Sequence, residues 1–93
     1  MIIAKLLQLI RNWALPYHGR SIVYAMTGKL ELAIKDLNDA IKINLRDDIA
    51  NFNRGIARQK MGNNLTAIHD IETALKINPY NQDAVNTFKQ LLN

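Results

Sequence analysis

The chain has 93 residues, twelve basic and eight acidic, with a net charge of +4, 48% hydrophobic residues and no cysteine. That balance excludes a largely disordered chain, and the missing thiols exclude disulfides, thiolate metal sites and cysteine nucleophiles while suiting a reducing cytoplasm. One domain of this length buries only about 60–70% of its extended surface, so its core is thin. The basic residues run along the whole chain and form no stripe of the kind that binds nucleic acid.

Residues 1–13, MIIAKLLQLIRNW, open the chain with an amphipathic helical pattern. At 100° per residue, Ile2, Ile3, Leu6, Leu7, Leu9, Ile10 and Trp13 share one side, and Lys5, Gln8, Arg11 and Asn12 take the other. The run is far shorter than the roughly 20 residues a membrane span needs, and no small-residue cleavage site follows it. With only Lys5 and Arg11 on its polar side, it makes a poor membrane-surface helix.

Pro16 suits the first turn of a second helix, where its missing N–H costs nothing, and Gly28 closes that helix. A third runs from about Leu30 to Ile43, with Ala33, Leu37, Ala40 and Ile41 on one face. Asp47 or Asp48 can cap the next helix, which carries Ile49, Phe52, Ile56 and Ala57 towards Gly62. Asn63 or Asn64 caps a fifth helix with Ala67, Ile71, Ala74 and Leu75 facing inward, and Pro79 stops it. Asn81 caps a last helix bearing Val85, Phe88, Leu91 and Leu92.

The chain also repeats itself. GKLELAIKDLNDAIKIN at 28–44 overlays GNNLTAIHDIETALKIN at 62–78, a spacing of 34 residues. Gly28 meets Gly62, Ala33 meets Ala67, Asp36 meets Asp70, Ala40 meets Ala74, and upstream Arg20 meets Arg54. An unbroken register of this kind is one structural unit copied. Alanines seven apart, with Gly55 on the opposing helix, predict close helix packing in which a larger residue does not fit.

The unit resembles the tetratricopeptide repeat. In the second copy the matching residues are Arg54-Gly55, Gly62, Ala67, Ile71, Ala74 and Pro79, and in the first they are Tyr17, Tyr24, Gly28, Ala33, Leu37 and Ala40. Arg58 replaces the family tyrosine in the second copy. Ser21 and Leu45 replace a glycine and a proline in the first. The resemblance implies an all-α, right-handed solenoid of antiparallel helix pairs, about six helices in a single domain: a half-repeat at 1–13, repeats at 14–47 and 48–81, and a solvating cap at 82–93. Run backwards, the register aligns Ile3 with Leu37 and Ile71, Leu7 with Ile41 and Leu75, and places Leu6 at an alanine position.

Such solenoids bind partners in a concave groove and seldom catalyse, so the resemblance implies a protein or peptide partner, no enzyme activity and no cofactor. The groove positions map to His18, Ile22, Met26, Ile49, Phe52, Asn53, Ile56, Gln59, Lys60, Asp83 and Asn86. Asn53 matches the asparagine that bonds a bound peptide's backbone, since a carboxamide both donates and accepts. The family's clamp for chaperone-tail carboxylates is not reproduced: His18, Ile22, Asp83 and Thr87 stand where Lys, Asn, Lys and Arg belong. An apolar segment without a terminal charge fits better.

Plainer readings accompany these. Phe52 and Ile56 can be core residues. His18 and His69 have no second ligand at metal spacing, and nothing in the register unites Ser21, His69 and Asp36 into a triad. A second class of function, self-association through the N-terminal helix or a solenoid end, also fits, because two and a half repeats fall short of the three usually needed for stability.

Overall fold

The structure, a computed structural model, describes residues 2–93; the placement of the Leu7 and Arg11 side chains, and with it their expected sides of the first helix, lies outside the described residues. Among the described residues five helices follow one another: α1 (Ile2–Met26), α2 (Leu30–Ile43), α3 (Asp48–Lys60), α4 (Asn64–Ile77) and α5 (Gln82–Leu92). Each packs on the next, and α1 also touches α3, so the first helices of the two repeats lie side by side.

The turns explain why the two copies fold alike. Gly28 and Gly62 adopt φ of 79° and 85°, a left-handed conformation that favours glycine. Each is followed by an amide that bonds back to the preceding helix, Lys29 N to Tyr24 O and Asn63 N to Arg58 O, both at 2.8 Å. Between repeats, Asn44 and Asn78 accept through Oδ1 from the amides of Arg46 and Tyr80. Asp47 and Asn81 then cap α3 and α5 by accepting from Ala50 N and Ala84 N. Asn63 holds the N-cap position of α4 but its side chain makes no cap bond.

One expectation is corrected. Pro16 does not open a new helix; it lies inside the 25-residue α1, which joins the two segments expected at 1–13 and from Pro16 onward, and gives five helices where about six were expected. The register supplies the reason. Ile10 stands where Asn44 and Asn78 make their turns, and Trp13 stands where Asp47 and Asn81 make their caps. Without those polar groups the backbone has no alternative partner, and the helix continues through the proline despite the amide bond it forfeits.

The packing follows the small residues. Ala33, Ala40, Ala67 and Ala74 are all buried, with Leu37 and Ile71 between them. A Cβ on Gly55 would lie 2.8 Å from Ile71 Cδ1 and 3.2 Å from the Ala67 carbonyl, so the glycine sets the closeness of α3 and α4. The apolar clusters are thin, one around Ala14, Leu37, Ala40 and Ala50, the other around Ile71, Ala74 and Ala84. The N-terminal half of α1 lies outside them: Ile2, Ile3, Leu6, Leu9 and Trp13 are exposed.

Candidate functional site: the cleft between the first helices of the repeats

α1 and α3 flank a cleft of about 170 Å³ whose floor is Ala33 and Leu37 of α2. Ile22 and Met26 form one wall, Asn53, Ile56 and Lys60 the other. These are five of the eleven residues expected in the groove. The helical period brings them together, since 22 and 26, or 53, 56 and 60, fall on one face. The volume is below the roughly 300–1,000 Å³ of small-molecule pockets. It suits one or two side chains of a larger partner, with the Asn53 carboxamide able to donate and accept beside them.

The other six lie elsewhere. His18 and Ile49 line a second, more polar hollow of about 610 Å³ with Leu15, Asn44, Arg46, Asp47, Asp48, Ile77 and Asn78. His18 Nε2 lies 2.6 Å from Asp47 Oδ2, so this side chain is tied to the carboxylate that caps α3. Phe52 packs half-buried against the Ile71, Ala74 and Ala84 cluster, the core role foreseen for it as an alternative. Gln59 is half-buried, and its carbonyl accepts from Gly62 N in the turn. Asp83 and Asn86 are exposed on α5, where Asn86 Oδ1 accepts from Gln82 Nε2 at 3.0 Å.

Sequence reasoning missed the ion pairs behind the cleft. In the first repeat Arg20 Nε and Nη2 donate to the two oxygens of Asp36 at 2.7 and 2.6 Å. The second repeats the arrangement, Arg54 Nε and Nη2 donating to Asp70 at 3.0 and 2.9 Å, and adds Arg58 Nη1 at 2.7 Å and a bond from Arg54 Nη1 to Asn38 Oδ1 at 2.8 Å. Both arginines and both aspartates recur in the overlay, so a basic and an acidic residue 16 apart, present twice, was the readable signal. The hydrogen bonds and charge of Asp36 push the Arg20 guanidinium above its ordinary pKa. A raised cation pKa gives stability that persists below the unfolded value and is lost only at still higher pH, so the pair is constant across the neutral range.

These bonds also dispose of the nominal triad. Ser21 Oγ donates to the His18 carbonyl and Asp36 is held by Arg20, while His69 is exposed on α4. Among the described residues no group of three or more His, Cys, Asp or Glu could hold a metal, and no helix is long and apolar enough to cross a membrane.

Comparison with known proteins agrees with this architecture. Residues 49–81 match the family model of the tetratricopeptide repeat. Tetratricopeptide repeat protein 6 of Homo sapiens is 34% identical over 65 residues, 70% of this chain but 12% of that protein, so the chain spans only a small part of its relative. The solved first TPR of Spaghetti (RPAP3), bound to the HSP90 peptide SRMEEVD, is 27% identical with a TM-score of 0.80, covering 84% of this chain and 62% of that one. The second TPR domain of human RPAP3, in complex with an HSP70 peptide, is 32% identical with a TM-score of 0.80, covering 86% and 67%. With two copies of one helix pair, the glycine turns, the buried alanines and these likenesses in agreement, the chain belongs to the tetratricopeptide-repeat family.

Proposed function

We propose that this chain is a non-catalytic protein-interaction module of the cytoplasm that holds an apolar protein segment in the cleft between α1 and α3. What supports this is the cleft itself: Ile22 and Met26 on one wall and Ile56 on the other make it apolar, and beside them Asn53 brings a carboxamide, a group that can both donate to and accept from a peptide backbone. The two RPAP3 structures hold chaperone peptides, which supports the class of function. The ligand differs. His18, tied to Asp47, and Ile22 replace two groups that would grip a terminal carboxylate, and the exposed Asp83 repels one.

The test is a peptide-library pull-down on the full chain, with Ile56→Asp and Asn53→Ala beside the parent. Internal apolar peptides should be recovered by the parent and lost by Ile56→Asp, with weaker recovery by Asn53→Ala. Equal recovery by all three, or selection of acidic C-terminal tails, contradicts the reading.

A further inference from the structure

We propose that the exposed N-terminal half of α1 docks on α5 of a second copy of this chain, in a head-to-tail contact that builds a composite repeat. In the 34-residue register, residues 2–13 align with second-helix residues and α5 with a first helix, although in the structure residues 2–13 continue α1 without a turn. Ile3 takes the position of Leu37 and Ile71, which are 1% and 0% exposed, yet Ile3 is 73% exposed. Leu6 takes the position of the buried Ala40 and Ala74, and it too is exposed. Among the described residues no helix covers this stretch.

The occupant is identified by what happens to the ion pairs. Within the second repeat, Arg54 and Arg58 of the first helix bond Asp70 of the second. The composite repeat would have Phe88 at the position of Arg54, Leu92 at that of Arg58 and Ile2 at that of Asp70. All three members change from charged to apolar together. Ile2 is 78% exposed and Leu92 63% exposed, so these two present matching apolar surface, while Phe88 is half-buried, one side of it packed on the Ile71, Ala74 and Ala84 cluster of its own chain. A lone change on either side would leave a charge facing an apolar group, which costs free energy when buried.

Charge selects the head-to-tail arrangement over two N-terminal halves packed together. The docking stretch, residues 2–13, holds Lys5 and Arg11 and no acidic residue, while Arg20 further along is bonded to Asp36. Two such segments side by side repel. α5 balances Asp83 against Lys89 and does not. Lys89 stands where Gly55 allows close approach, and Leu6 where Ala40 does, so the composite pair sits wider than α3 and α4, with the lysine stem lying along the seam and its ammonium in water.

Sedimentation equilibrium of the full chain tests this. The apparent mass of the parent should rise with concentration, and Ile2→Asp and Phe88→Arg should each lose that rise. An equimolar mixture of the two variants should regain it, because a carboxylate at position 2 then meets a guanidinium at position 88 as Asp70 meets Arg54. Leu92→Arg, at an exposed position, replaces Phe88→Arg if the latter loses helical circular dichroism. A parent that stays monomeric to its solubility limit, association that survives Phe88→Arg and Leu92→Arg, or a mixture that stays monomeric would each overturn the proposal.

Discussion

Two carboxylates at one register position, Asp36 and Asp70, are held in different ways. Asp36 is bonded by Arg20 alone, whose side chain is 55% exposed and stands 5.9 Å from the ring centres of both Tyr17 and Tyr24. Asp70 is bonded by two guanidiniums whose exposures are 18% and 25%, and one of them reaches on to Asn38 of α2. The change from Tyr24 to Arg58 makes part of the difference. It replaces a ring beside the arginine by a second cation on the same carboxylate, while the bond of Arg54 to Asn38, whose register equivalent in the first copy is Ala4, extends the pair into a network that ties α2, α3 and α4 together. The same fold position can thus be local in one copy and a tie between copies in the next.

The largest test of that contrast is removal of each carboxylate. Asp70→Ala leaves two part-buried guanidiniums without their partner and should cost about 3–5 kcal/mol in urea unfolding. Asp36→Ala leaves an arginine that water already reaches, so the loss should be clearly smaller than that of Asp70→Ala. Equal losses would mean the extra guanidinium contributes nothing.

Next in size is the packing beneath the ion pairs. Ser21 is buried where the second repeat has Gly55, and Leu37 stands where it has Ile71, the side chain that a Cβ on Gly55 would meet. Gly55→Ser should cost about 1–3 kcal/mol by driving its new atoms into Ile71, and Ala74→Leu about the same. Combining Gly55→Ser with Ile71→Leu recreates the pairing of the first repeat and should recover part of the loss, a coupling readable in a double-mutant cycle. Purely additive changes would contradict the contact.

Smaller effects sharpen the picture. Arg58→Tyr gives the second repeat the arrangement of the first, trading a charged hydrogen bond for a ring beside Arg54, and should cost about 1–2 kcal/mol. Asp47→Ala removes a helix cap and the partner of His18, and thermal unfolding should register about 1 kcal/mol.

How far these features were legible depended on distance along the chain. The glycine turns and the stacked alanines repeat at 34 residues and the Asn81 cap is local, so the sequence revealed them, while the cap of α3 stood open between Asp47 and Asp48 until the structure gave it to Asp47. The continuity of α1 was hidden because Pro16 can open a helix as well as sit inside one. The absent turn residues at positions 10 and 13 decided it, and only comparison with Asn44 and Asp47 exposes their absence. His18 illustrates the limit for the site: its register position is a groove position, but Asp47, 29 residues on, draws it to the other hollow. Phe52 shows the same ambiguity, since an apolar residue on a first helix serves core or groove, and the approach of α4 and α5 settles it.

The central claim is that the cleft between α1 and α3 receives the partner. An NMR titration of the labelled full chain, with the tightest internal apolar peptide from the library, tests it most directly. The account predicts amide shifts concentrated at Ile22, Met26, Asn53, Ile56 and Lys60, with residues 2–13 unmoved. Shifts confined to residues 2–13 and α5, or to the hollow around His18 and Asp47, would contradict it.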